Sequence, residues 1–127
     1  MLMFELPIVK RSAFCKTIGL LVGIAVAMSL PAEIVEAVPM IRAAAVINVL
    51  IASVFVAVMG LFTHHPIFKK RIHPFVRGGM IAGFVHLDFI IYMWPNQSQF
   101  WTAFAYAFAF GAVLDMLSTQ LFGEGKT

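Results

Sequence analysis

The sequence predicts an all-α membrane protein: four transmembrane helices in one compact antiparallel bundle, with both termini on the cytoplasmic side. Three observations carry that expectation. The 127 residues are 61% hydrophobic and 12% charged, with a mean hydropathy of +0.94, against roughly 45–50% apolar content in soluble domains. The apolar residues fall into four runs close to the ~17–25 residues a helix needs to cross a bilayer. Lysines and arginines gather beside alternate run ends, the bias that sets orientation. The runs use nearly all of the length, so one domain over residues 1–127 is expected, with no separate soluble catalytic portion.

Taken in order, Met1 to Val9 is apolar apart from Glu5 and is broken by Pro7, which suits a short interfacial segment. The first span is placed at 13–30, behind Lys10, Arg11 and Lys16. Its basic start, short apolar core and Val35-Glu-Ala37 also imitate a secretory signal, but the segment is counted as a span. Pro31 to Arg42 is a loop with room for one amphipathic turn. The second span, 43–62, has only Asn48 and Ser53 as polar interruptions. Thr63 to Pro74 is a compact basic loop whose prolines cannot continue a helix. The third span, 75–94, holds His86 and Asp88 near its middle. Pro95 to Gln99 is a tight uncharged turn between Trp94 and Trp101, at the depth indoles favour. The fourth span, 100–122, ends at Gly123.

Orientation follows from Lys10, Arg11 and Lys16 at the first flank and Lys69, Lys70, Arg71 and Arg77 around the middle loop, against Arg42 in the remaining loops. Both termini and the middle loop are expected in the cytoplasm, in a plasma membrane of the bacterial inner-membrane type. The basic residues sit at span ends, so the formal charge of +3 points to no nucleic-acid partner. The single cysteine, Cys15, permits no internal disulfide and no metal motif. His64, His65 and His73 read as interfacial polar residues and not as metal ligands. No cofactor is expected: His86 is the one mid-span histidine, where a haem held by two histidines needs a facing pair. H-E-x-x-H, G-x-S-x-G and phosphate-cradling glycine patterns are missing, so the chain reads as a non-enzyme.

Each span carries small residues three or four apart: Gly19, Gly23 and Ala27; Ser53, Ala57 and Gly60; Gly79 and Gly83; Ala103, Ala107 and Gly111. In lipid no hydrophobic force drives helices together, so close backbone approach along such stripes holds a bundle by van der Waals contact. A faint echo relates Lys10-Arg11, Phe14, Lys16 and Gly19-x-x-x-Gly23 to Lys70-Arg71, Phe75, Arg77 and Gly79-x-x-x-Gly83, and chance accounts for it better than a parallel duplication does.

The candidate functional residues are the polar groups inside the spans: Lys16, Asn48, Arg77, His86, Asp88 and Asp115. At 1.5 Å per residue from the cytoplasmic side, Arg77 falls at about 3 Å, Lys16 at about 5, Asp115 at about 10, His86 at about 16, Asp88 at about 20 and Asn48 at about 23. Such a ladder suits a proton or cation path. It equally suits a set of interhelical hydrogen bonds acting as glue. Asp115 continues the Ala103, Ala107, Gly111 series and so faces a packed helix. Lys16 is its expected ion partner, with Arg77 competing. On a straight third helix Gly79, Gly83 and His86 share one face while Arg77 and Asp88 share the other. A polar face on each side implies a homo-oligomer or other membrane subunits docked through the Asp88 face, with lipid bilayer around the rest. The expected function is an oligomeric transporter or channel for protons or small cations; the alternative is a non-catalytic accessory or structural subunit of a larger membrane complex.

Overall fold

A computed structural model describes residues 6–124. The regular elements are α1 (Pro7–Ser29), α2 (Ala32–Ala37), α3 (Ile41–Met59), α4 (Pro74–Val85), α5 (Leu87–Ile90), a 3-10 turn (Ile91–Met93) and α6 (Gln97–Phe122). By length and composition α1, α3 and α6 suffice to cross a membrane, and α4 with the following turns makes a fourth candidate, bent by 47° at its break.

The first helix starts well before the expected Ala13. Pro7 sits in its first turn, where a fixed φ favours the helix and the missing N–H is no loss. Met1 to Glu5 of the expected interfacial segment lie outside the described residues, and Pro7 to Val9 belong to α1. The early start carries Arg11 into the helix, and the buried residues of α1 are Arg11, Cys15, Gly19, Gly23 and Ala27, an unbroken four-residue series. The loop after α1 contains α2, a single short helix. At the far end Asn96 caps α6, its side chain accepting from the Gln99 amide at 3.3 Å.

The helices pack as two close pairs, α1 on α3 and α4 on α6, joined by α3 against α4 and α1 against α6. Glycine sets both pair contacts. A Cβ on Gly23 would stand 3.1 Å from the Val46 Cα, and one on Gly19 would overlap the Ser53 hydroxyl. In the other pair the closest approach is Gly78 to Gly111: a Cβ on either would fall within the other's carbonyl. The expected stripe Gly79 and Gly83 lies one position off this line, under the rings of Phe108 and Phe104. The innermost core is correspondingly small in side chain, built from Cys15, Ala52, Val56, Ala57, Ala82 and Leu114. Large apolar residues such as Met28 and Leu21 stand on the outside, the reverse of a soluble domain.

The third candidate span departs from the straight helix expected over 75–94. The Nδ1–H of His86 donates to the Ala82 carbonyl at 2.7 Å, which already accepts from the His86 amide at 3.0 Å. A side chain competing for the i−4 carbonyl is a recognised cause of a kink, and the bend falls there. The two residues expected on the second polar face of this span differ in environment: Arg77 is buried and Asp88 exposed.

Residues 62–73 return the chain from α3 to α4 through a pinched turn. The His65 amide donates to Lys70 at 2.8 Å and the Ile72 amide to Thr63 at 2.9 Å, with Lys69 in the left-handed region at φ 54°. The loop histidines serve this turn. His65 Nδ1 accepts from the Ile67 and Phe68 amides, and His73 Nδ1 accepts from the Phe75 amide and caps α4. Among the described residues no three His, Cys, Asp or Glu side chains converge as metal ligands would.

Candidate functional site

The polar side chains collect into two groups. The first lies where the start of α1, the end of α3, the start of α4 and the end of α6 meet. Arg11 reaches in from α1, Arg77 from α4 and Asp115 from α6, and both Arg11 and Asp115 are fully buried. Arg77 grips the carboxylate with two bonds, Nε to Oδ2 at 2.8 Å and Nη2 to Oδ1 at 2.8 Å. Arg11 Nη2 donates to the same Oδ1, and the Thr119 hydroxyl donates to it at 3.1 Å.

The remaining donors of Arg11 go to α3 and α6. Nε donates to the Ala57 carbonyl at 3.0 Å and Nη2 to Val56 at 3.2 Å, in the last turn of α3, where the dipole favours a cation. Nη1 donates to the Thr119 hydroxyl at 2.8 Å and to the Gly123 carbonyl at 3.1 Å. Gly60 makes room for this, since a Cβ there would meet the guanidinium. Glu124 stands 3.7 Å from Arg77 Nη1 and 3.3 Å from Arg71, so two carboxylates face the buried Arg11 and Arg77 and the exposed Arg71. Every oxygen of Asp115 is occupied, so this is a clamp tying the four long segments together.

Lys16, the expected partner of Asp115, is exposed on α1 and takes no part. Arg11 stands in its place because the series through Cys15 and Gly19 continues back to position 11 and turns it inward, whereas position 16 lies about 100° round the helix from Cys15 and about 140° from position 11. Arg11 was missed because hydrophobicity put the helix start behind it. Counting back four from Cys15 is the signal that finds it. Gly78 belongs to a second small-residue pair, Gly78 and Ala82, which the glycine-only repeat of Gly79 and Gly83 overshadows.

The second group occupies the other half of the bundle. Asn48 on α3 donates from Nδ2 to Asp88 Oδ1 at 3.0 Å. That bond fixes the amide with its oxygen turned away from the carboxylate, and this Oδ1 is buried without a hydrogen-bond partner in the described structure. Beside it a cavity of about 480 Å³ opens between α1, α3, α5 and α6, lined by Val22, Val26, Asn48, His86, Met93 and Tyr106 among others. Its walls are almost wholly apolar and carry no charged side chain.

The two groups do not connect. Along α4 the buried residues between Arg77 and His86 are Gly78, Gly79, Ala82 and Gly83. Along α3, between Asn48 and Val56, the one buried polar residue is Ser53, whose hydroxyl donates back to Val49 at 2.8 Å. The expected ladder is thus a sealed ionic clamp and a separate Asn48, Asp88 and His86 cluster. No family model, curated protein or solved structure matches this chain.

Proposed function

We propose that the protein is a multi-pass plasma-membrane protein of the bacterial inner-membrane type, working as a non-catalytic subunit of a membrane assembly, with copies of itself or with other membrane chains. The carrying observation is Asp88. It is exposed halfway along a candidate span and has one hydrogen bond, from Asn48, between Phe84 and Tyr92, which are themselves exposed. Facing hydrocarbon, an ionised carboxylate costs roughly 2.5–3.5 kcal/mol on insertion scales; a neighbouring chain offering donors removes that penalty. The clamp end carries Lys10, Arg11, Lys16, Lys69, Lys70, Arg71 and Arg77, which favours its placement in the cytoplasm with both termini. Lipid covers the remaining apolar faces.

Crosslinking from Tyr92→Cys and native mass spectrometry in mild detergent test this reading. Dimers or larger assemblies are expected, and Asp88→Leu should dissociate them. A monodisperse monomer with Asp88 open to lipid overturns it.

A second reading, an oligomeric transporter, is favoured by the cavity. The break in the polar ladder argues against protons or small cations passing through one chain, so a proton path would have to run between copies. Proton flux in proteoliposomes that Asp88→Asn abolishes would favour this reading over the first.

A further inference from the structure

We propose that the cavity between α1, α3, α5 and α6 is a binding site for a neutral, largely apolar small molecule bearing one hydrogen-bond donor, a phenol or alcohol with a short hydrocarbon body drawn from the lipid phase. The proposal rests on the cavity itself and is independent of the assembly role.

About 480 Å³ lies within the range of small-molecule sites, roughly 300–1,000 Å³. Apolar walls hold water poorly, because a water needs two to four polar partners to stay. An ion is disfavoured, since no charged side chain lines the space and an unpaired ion in apolar surroundings loses its solvation.

His86 donates through Nδ1–H to the Ala82 carbonyl, so in its neutral form Nε2 is an acceptor. Asn48 spends its amide N–H on Asp88, and its oxygen, also an acceptor, has no partner in the described structure. The Asn48 oxygen is closed off from the cavity as it is from solvent, so His86 is the lining residue that offers an acceptor, and an acceptor at an apolar wall calls for a donor. A phospholipid acyl chain would fill the volume but offers no donor.

The test uses the full chain in proteoliposomes and a photoreactive probe, 4-hexylphenol with a diazirine in its alkyl chain. Labelling should map to Val22, Val26 or Met93. Unlabelled 4-hexylphenol should compete at a concentration at least ten-fold below that of 4-hexylanisole, the methyl ether without a donor. His86→Leu should erase most of that difference, while His86→Gln, which restores an acceptor, should keep it. Ala103→Trp, which fills the cavity from α6 away from the bend, should abolish specific labelling and keeps the test decisive where His86→Leu fails to fold. Equal competition by phenol and ether, or labelling confined to outward residues such as Leu21 and Met28, overturns the proposal and leaves the space to acyl chains.

Discussion

At the scale of single residues, the clamp makes a sharp contrast between two cations a few positions apart. Replacing Asp115 by Asn leaves two buried guanidiniums without their carboxylate, and breaking a buried pair in this way costs about 3–5 kcal/mol. Asp115→Asn should therefore lower the melting temperature in detergent strongly, and Lys16→Met should leave it unchanged; equal effects would mean that Arg11 is not the partner. Arg77→Lys is expected to fall between the two, because an ammonium keeps the charge and loses the two-point grip on Oδ1 and Oδ2. That Asp115 points inward was legible in the sequence from the Ala107 and Gly111 register. Its partners were legible only by half. Arg77 lies within reach of the span end, but Arg11 carried the same signature as any flanking charge until the helix was known to begin at Pro7. Asn48 and Asp88 meet across α3 and α5, and no spacing within either segment encodes such a contact.

At the scale of the elements, the α4 and α6 contact is set by Gly78 and Gly111, where backbone lies against backbone. A methyl group added there meets the facing carbonyl and a facing Cβ, that of Asp115 or Ala82, neither of which can rotate away, so the helices must separate. Gly78→Ala and Gly111→Ala are each expected to cost about 1–3 kcal/mol, in the range for overpacked cores. Gly79→Ala and Gly83→Ala meet the rings of Phe108 and Phe104, which can turn away, and should cost less. Thermal melts of the four variants check the order; a larger loss at Gly83 than at Gly78 would displace the contact. Length and hydropathy made the helices themselves legible to within a few residues at most ends, since a span is a demand on composition. The bend at His86 was not legible, because it depends on which acceptor the imidazole finds, and a hydropathy count treats His86 and Asp88 alike as interruptions.

For the whole molecule, the gathering of basic residues at the clamp end predicts topology. Cysteines placed at Gln97 and at Thr127 and probed with a membrane-impermeant maleimide should label from opposite sides, Gln97→Cys from outside and Thr127→Cys only after permeabilisation. Cys15 is buried and should stay silent. External labelling of Thr127→Cys would reject the orientation. The clamp has a further consequence in time. Arg11 and Asp115 are 104 residues apart, so at a synthesis rate of ~5–20 residues per second the arginine is made roughly 5–20 s before the carboxylate that neutralises it. Through that interval its long side chain can keep its charge near water. A chain interrupted before α6 would hold two cations with no counter-charge and no α6 to seal them, so closing the clamp doubles as a check that the bundle is complete.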